Sequence, residues 1–197
     1  MKIYDISQEV FTCSVYPGDP APKKTVLNSI SNGDLYNLTA FSMCAHNGTH
    51  IDAPFHFLND GKTVDQLELG KLVGKAFVIA HEGIIADQDA IMIIKEANKT
   101  DYEAAKRILI KGNAVLSLDA AKVFADAKLE LFGNESQTVG PEDAPMEVHK
   151  LLLGSETVLL EGVRLNGVPE GVYLLDAAPI SLGGADGAPC RAILIKI

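Results

Sequence analysis

The chain has 197 residues and a hydrophobic content of 47%, which is enough apolar sequence for a packed core and excludes a disordered chain. We therefore expect residues 1–197 to form a single domain. Acidic residues outnumber basic ones by 26 to 17, and the net charge of −9 comes without a basic stripe. The composition thus argues against a nucleic-acid-binding protein.

The three cysteines, at positions 13, 44 and 190, form no Cys-x-x-Cys pair and are odd in number, which argues against a disulfide framework. A reducing compartment fits this pattern. The N-terminal segment lacks the apolar region of a signal peptide, and no apolar run approaches the roughly 18 residues of a membrane span. We therefore expect a cytoplasmic protein that does not associate with a membrane.

Capping and loop residues mark the predicted boundaries along the chain. Proline and glycine predict a rigid loop at Tyr16-Pro17-Gly18-Asp19-Pro20. Asp87 and Ser117 are typical helix-capping residues, and the helices that they begin are predicted to end near Asn98 and Ala127. A third helix is predicted over 144–153.

Short strands are predicted between these helices, without a strict strand–helix–strand repeat. The predicted ranges are 2–6, 36–46, 75–81, 107–111, 157–161, 172–175 and 191–197. This mixture predicts an α/β fold with a mixed β-sheet core rather than a Rossmann fold.

Three of the five histidines fall in the segment His46-Asn-Gly-Thr-His50-Ile-Asp52-Ala-Pro-Phe-His56. These three histidines and Asp52 all occupy even positions, so an extended chain would direct their side chains to one face. Imidazole and carboxylate groups together suit zinc, manganese or iron(II). A carboxylate such as Asp52 can also bridge two ions. The segment therefore predicts a site for one or two divalent metal ions.

A helical form of this segment is disfavoured. It would bring His46 and His50 together at i, i+4, but Gly48 and Pro54 do not suit a helix interior. An extended chain with a turn is the better interpretation. In that form Thr49 points to the opposite face, where we expect it to form hydrogen bonds that hold the segment.

The same segment matches the His-x-Gly-Thr-His-x-Asp-x-Pro-x-His signature of the cyclase-like metal hydrolases, the family that includes bacterial kynurenine formamidase and isatin hydrolase. Three further segments resemble parts of that family. They are the loop Tyr16-Pro-Gly-Asp19, the segment His149-Lys-Leu-Leu-Leu153 with Val158-Leu-Leu-Glu161, and the stretch Gly184-Ala-Asp-Gly-Ala-Pro-Cys-Arg191. The resemblance covers nearly the whole chain.

The resemblance implies a set of metal ligands. His46, His50 and Asp52 would bind one ion, and Asp52 would bridge to a second ion held also by His149 and Glu161. Glu161 has separate support, because it ends an apolar run, and a buried carboxylate is costly unless it is paired or bound to a cation. A strand that emerges into solvent at Glu161 is the alternative, and a partly buried helix histidine is the alternative for His149.

The resemblance also implies a fold and an activity. The fold would be a swivelling β/β/α domain that forms a homodimer or homotetramer. The activity would be hydrolysis of an amide bond in a small formamide or cyclic amide, with Zn²⁺ or Mn²⁺ to activate water. His56 would be the catalytic residue that transfers protons, as its usual pKa range allows.

Other interpretations of these residues stay open. The same metal could serve lactone opening, dehydration or cyclisation, or the metal site could be non-catalytic. Cys44 and His46 share a face of the predicted strand and could form a nucleophile pair, although Cys44 in the apolar body of a strand is typical of a buried hydrophobe. Asp186 and Arg191 could order the site or fix the C-terminal strand.

Aromatic residues near the histidine segment are candidates for lining a pocket, with core packing as the alternative for each. An aromatic lining would suit a planar ligand. The candidates are Phe11, Tyr16, Phe55 and Phe57.

Overall fold

The computed structural model describes residues 1–141 and 145–196. These residues form strands β1 (Lys2–Asp5), β2 (Lys23–Asn28), β3 (Leu38–Ser42), β4 (His50–Asp52), β5 (Val73–Ala80), β6 (Gly83–Ile85), β7 (Arg107–Lys111), β8 (Ala114–Leu116), β9 (Leu131–Asn134), β10 (Val158–Glu161), β11 (Gly171–Asp176), β12 (Gly187–Pro189) and β13 (Ile193–Lys196). The α-helices are α1 (Leu69–Leu72), α2 (Asp87–Thr100), α3 (Leu118–Asp126) and α4 (Pro145–Gly154).

Nine strands form one mixed sheet in the order β1-β13-β11-β5-β7-β9-β10-β4-β12. The central strands β5, β7, β9 and β10 run parallel to one another, and the strands on either side of them pair antiparallel. Two smaller sheets, β2-β3 and β6-β8, lie beside it. The mixed sheet and its helices confirm the predicted α/β fold.

Different apolar clusters cover the two faces of the large sheet. Ile108 and Ile110 of β7 lie in the cluster that includes residues of α2, α3 and α4, whereas Leu109 between them lies in the opposite cluster. The same alternation holds in β10, where Leu159 lies in the cluster with the helices and Leu160 in the other. We call the side that carries α2, α3 and α4 the helix face.

The helices begin close to the predicted capping residues. The Ser117 hydroxyl accepts a hydrogen bond of 3.1 Å from the Ala120 N–H, and α3 follows directly. For α2 the cap is Ala86, whose backbone N–H donates to the Asp89 carboxylate at 2.9 Å. Asp87 is therefore the first residue of α2 rather than its cap. α4 starts at residue 145, and the predicted start at 144 lies outside the described residues.

The predicted strands are present with ends shifted by at most two residues, apart from 36–46 and from the end of 191–197, where residue 197 lies outside the described residues. The strand predicted over 36–46 ends at Ser42, and the chain then turns. The turn is closed by the Asn47 side chain, which accepts a hydrogen bond of 2.9 Å from the Cys44 N–H.

No helix in the described part of the chain is long and apolar enough to span a membrane.

Candidate metal centre

Strands β4 and β10 direct three candidate ligands to the helix face. The strands are antiparallel, with His50 opposite Glu161 and Asp52 opposite Leu159. Ile51 lies in the cluster on the other face, so its neighbours His50 and Asp52 point to the helix face. Glu161 follows Leu159 by two positions and points the same way.

Helix α4 brings His149 over this part of the sheet. Val148 and Leu152 anchor the helix in the apolar cluster of the helix face, and His149 is itself only 4% exposed. Its Nε2 atom lies 3.1 Å from Oε1 of Glu161 and 3.7 Å from Oδ2 of Asp52. His149 and Glu161, the two candidates that are distant in sequence from the histidine segment, thus meet beside Asp52.

His46 and His56 reach the same place from turns rather than from an extended strand. His46 lies in the turn after β3, and His56 ends a single 3-10 turn that begins at Pro54. The predicted convergence of these side chains is present, but strand alternation accounts for it only at His50 and Asp52, and turns bring in His46 and His56. The cause is local, because Gly48 has a left-handed φ of +66° and proline fixes its own φ.

Two overlapping groups of side chains could each hold a metal ion. One group is His46, His50 and Asp52, and the other is Asp52, His149 and Glu161, with the donor atoms of each group within 4.8 Å of one another. Oδ1 of Asp52 lies 2.8 Å from Nδ1 of His46 and 3.2 Å from Nε2 of His50. Because both groups contain Asp52, the geometry suits one ion or two ions bridged by this carboxylate.

The second carboxylate oxygen of Asp52, Oδ2, shows whether the site fits a metal ion. Asp52 is only 1% exposed, and its Oδ2 atom has no hydrogen-bond partner among the described residues. A buried carboxylate oxygen without a partner is costly unless it binds a cation. Imidazole nitrogen and carboxylate oxygen are also the donor atoms that suit zinc or manganese. The side chains present here therefore fit a divalent metal ion.

The buried histidines and carboxylates of the site shift one another's pKa values. Burial opposes a charge on His50, but hydrogen bonds to Asp52 and Glu161 outweigh it and raise the pKa of His50 to about 10. The hydrogen bond to Asp52 likewise raises the pKa of His46 against burial. Burial opposes the charges of Asp52 and Glu161 too, yet the imidazoles lower the pKa of both carboxylates. A metal ion that binds here must therefore displace protons from the histidines.

Asp186 joins His46 and His56 at the more exposed side of the site. Its Oδ2 atom lies 2.8 Å from Nε2 of His46 and 3.1 Å from Nδ1 of His56, and the two imidazole rings stack with centroids 3.9 Å apart. Burial lowers the pKa of His56, so its imidazole is neutral near pH 7. These three side chains form a third group that could hold a metal ion.

Of the two C-terminal candidates, only Asp186 belongs to the site. Arg191 is exposed, and its Nη2 atom forms an ion pair of 2.7 Å with Asp5. This pair joins the segment before β13 to β1. Asp186 thus orders the histidines, and Arg191 fixes the C-terminal strand.

A cavity of about 470 Å³ opens over the candidate ligands. Tyr16 and Phe57, two of the four aromatic candidates, line it. Phe11 instead packs edge-on against a neighbouring phenylalanine, and Phe55 is exposed at the surface. A cleft of about 690 Å³ elsewhere on the molecule contains none of the candidate ligands.

Cys44 lines the same cavity, which corrects its predicted position in the apolar body of a strand. Strand β3 ends before it, at Ser42. Burial and the nearby charges of Asp19 and Asp186 raise the pKa of the Cys44 thiol. The thiolate that nucleophilic attack needs is therefore disfavoured, which weakens the hypothesis of a Cys44–His46 nucleophile pair.

Gln137 and Thr138 also line the cavity, and the sequence analysis missed them. They follow β9, the parallel neighbour of β10, and so lie at the same edge of the sheet as Glu161. Residues beyond the carboxyl ends of parallel strands commonly bind ligands in α/β proteins. To find Gln137 and Thr138 in this way, one would have to predict β9 from the sequence. Its four residues include Gly133 and Asn134, which are not typical of a strand.

Three histidines and two carboxylates that meet above one face of a mixed sheet define an α/β protein with a candidate divalent-metal site. A family model described as putative cyclase matches residues 4–141. The chain belongs to this cyclase family, as the resemblance of its motifs predicted.

Similar proteins support the same assignment along the whole chain. Kynurenine formamidase of Bacillus anthracis is 32% identical over 210 residues, which cover 100% of this chain and 98% of the relative. A solved structure described as a predicted metal-dependent hydrolase from Bacillus stearothermophilus is 28% identical, with a TM-score of 0.80 and coverage of 98% and 97%. Isatin hydrolase A from Labrenzia aggregata shares the fold at 20% identity, with a TM-score of 0.83 and coverage of 100% and 94%.

We expect the metal-free protein to lose stability as the pH rises from about 6.5 to about 10. The pKa of His50 is about 10 in the folded chain and 6.5 in the unfolded chain, so its contribution is complete below 6.5 and is lost as the pH rises through 10. His46 acts with the same sign. The carboxylates of the site are ionised in both states throughout this window and do not change the slope.

Urea unfolding in the presence of a chelator, at several pH values in this window, measures the effect. The free energy of unfolding of the His50→Gln variant should decline less steeply with pH than that of the wild type. The His81→Gln variant changes the one histidine outside the site. Its free energy of unfolding should decline with pH as steeply as that of the wild type. Equal slopes for the wild type and His50→Gln would contradict the assignment of the raised pKa to His50.

Proposed function

We propose that this protein is a metal-dependent hydrolase that cleaves an amide bond, with small arylformamides as its substrate class. The observation that carries the proposal is the buried Asp52 carboxylate, shared by two groups of metal-binding side chains beside the His56–Asp186 pair. The kynurenine formamidase relatives, which match the chain over its whole length, support a formamide substrate.

In this proposal His46, His50 and Asp52 hold one ion, and Asp52, His149 and Glu161 hold a second. Zn²⁺ suits these donor atoms best, and Mn²⁺ is the second candidate. A divalent ion bound here would polarise the substrate carbonyl and lower the pKa of a water molecule towards neutrality.

His56 is proposed to transfer the protons. Its Nδ1 atom donates to Asp186, which leaves Nε2 to accept a proton from the attacking water and to return it to the leaving nitrogen. Stacking against His46 restricts the ring, and the Asp186 charge stabilises the imidazolium once it forms. The lowered pKa of His56 keeps it ready to act as a base near pH 7.

Two finer expectations belong to the same proposal. We infer a homodimer or homotetramer, as the family resemblance implies. We also infer a cytoplasmic location, which is supported by the free state of Cys13, Cys44 and Cys190.

Metal removal is the direct test of the function. Dialysis against a chelator should abolish hydrolysis of formanilide, and Zn²⁺ or Mn²⁺ should restore it. In heavy-oxygen water the released formate should carry one solvent oxygen, whereas dehydration or cyclisation would add none. Full turnover by protein that elemental analysis shows to be metal-free would sink the proposal.

Replacing His56 with alanine should lower kcat by roughly 100- to 10,000-fold, the usual contribution of a general acid–base residue. Metal content should stay unchanged, because His56 lies outside both proposed ion-binding groups. His81→Ala is the matched control and should keep wild-type turnover. Loss of metal from His56→Ala would instead identify His56 as a ligand, and wild-type kcat would exclude a role in proton transfer.

We expect a neutral arylformamide to be a better substrate than the same compound with a carboxylate on its ring. Among the described residues that line the cavity, none is Lys or Arg, and Asp19 and Asp186 are acidic residues outside both proposed ion-binding groups. A substrate carboxylate would meet like charges there, so kcat/KM for 4-formamidobenzoate should be about tenfold or more below that for formanilide. The Asp19→Asn variant should bring the kcat/KM values of the two substrates closer together. The Asp126→Asn variant, which changes the exposed last residue of α3, should leave their ratio unchanged. Equal kcat/KM values would contradict the expectation.

A further inference from the structure

The carbonyl oxygen of Gly48 connects a proposed metal ligand to a residue that lines the cavity. It lies 3.0 Å from Nδ1 of His50 and accepts a hydrogen bond of 2.8 Å from Nε2 of Gln137. A carbonyl oxygen can only accept, so Nδ1 of His50 carries a proton. Nε2 is therefore the atom that His50 presents to Asp52, at 3.2 Å, and to Glu161, at 3.5 Å.

The amide group of Gln137 is itself held in one orientation by Gln8. Nε2 of Gln8 donates to Oε1 of Gln137 at 2.8 Å and to the Gly162 carbonyl at 2.7 Å, and Oε1 of Gln8 accepts from the Ser14 N–H at 2.8 Å. Each amide has one donor end and one acceptor end, so these contacts run in a single direction. They leave the Gln137 NH₂ group facing the Gly48 carbonyl.

Close packing fixes the backbone on both sides of this carbonyl. Gly162 has a φ of +69°, and a Cβ atom there would lie 2.3 Å from the Gly48 oxygen and 2.7 Å from Oε1 of Gln137. The Thr49 hydroxyl donates to the Gly162 carbonyl at 2.8 Å and accepts from the Gln8 N–H at 2.9 Å. The Gly48–Thr49 peptide is thus clamped, and Gln137 is the side chain that holds its oxygen in register with His50.

We propose that Gln137 is a positioning residue for His50. It fixes the Gly48 carbonyl, and that carbonyl keeps the proton on Nδ1 and directs Nε2 towards Asp52 and Glu161. The inference rests on the metal-dependent function proposed above. Gln137 acts through Gly48 and is not itself a metal ligand.

The Gln137→Met variant tests this role, because it removes the amide and keeps a similar volume. Competition with a chromophoric chelator should show binding of Co²⁺ and Zn²⁺ weakened about 10- to 100-fold, the usual effect of losing a partner behind a metal ligand. The visible spectrum of the Co²⁺ protein should shift as well. Gln88→Met, which changes an exposed glutamine of α2, is the matched control and should bind both metals as the wild type does.

A second readout uses the metal-free protein. In the wild type the His50 Nδ1–H should give a slowly exchanging signal in ¹⁵N-edited NMR spectra, and in Gln137→Met this proton should exchange faster. Gln137→Glu is the second variant, because it still accepts from Gln8 but sets a carboxylate oxygen against the Gly48 carbonyl. Wild-type metal affinity in either folded variant would overturn the inference.

The two proposals fail in different ways. A wild-type protein that binds none of Co²⁺, Zn²⁺ and Mn²⁺ would sink the proposed function. The exchange rate of the His50 Nδ1–H would then decide the role of Gln137 alone, and an unchanged rate in both variants would overturn it.

Discussion

Asp52 carries its charge almost out of contact with water, and the rest of the site is arranged around that fact. A buried carboxylate costs several kcal/mol unless cations or hydrogen bonds offset the loss of water. Here the imidazoles of His46 and His50, whose pKa values Asp52 raises, offset it, and one oxygen remains without a hydrogen-bond partner among the described residues. The charge that makes Asp52 costly to bury is also the charge that suits it to bind a cation.

The sheet explains how distant side chains meet at this carboxylate. Its parallel centre ends at β10, and the antiparallel strand β4 adds a row of side chains beside it. Alternation then places His50, Asp52 and Glu161 under helix α4. Turns on either side of β4 bring in His46 and His56, whose rings stack. Strands therefore carry the most buried candidate ligands, and turns carry the more exposed imidazoles of His46 and His56.

The sequence contains clear signals for the residue types of the candidate site but fewer for the backbone that brings them together. Alternation along a strand is a strong local constraint, so the shared face of β4 was predictable. Alternation does not place His46 and His56, because the left-handed Gly48 and the turn at Pro54 redirect the chain. The positions of more distant residues depend on tertiary packing. His149 and Glu161 therefore needed the family resemblance, the roles of Asp186 and Arg191 stayed undecided, and Gln137 was missed.

Strand β12 pairs with β4, so the strand that carries Asp52 gains its second neighbour only from residues 187–189. His46 and Asp186, which touch each other, are 140 residues apart in the chain. Contacts of such long range close large loops at a cost in chain entropy, and they are associated with slow folding. A metal ion that binds only the completed site therefore draws the whole chain towards the native state by mass action, by about 4 kcal/mol when its concentration is roughly 1,000 times its Kd. Metal supply would then set how much folded protein persists as well as how fast it works.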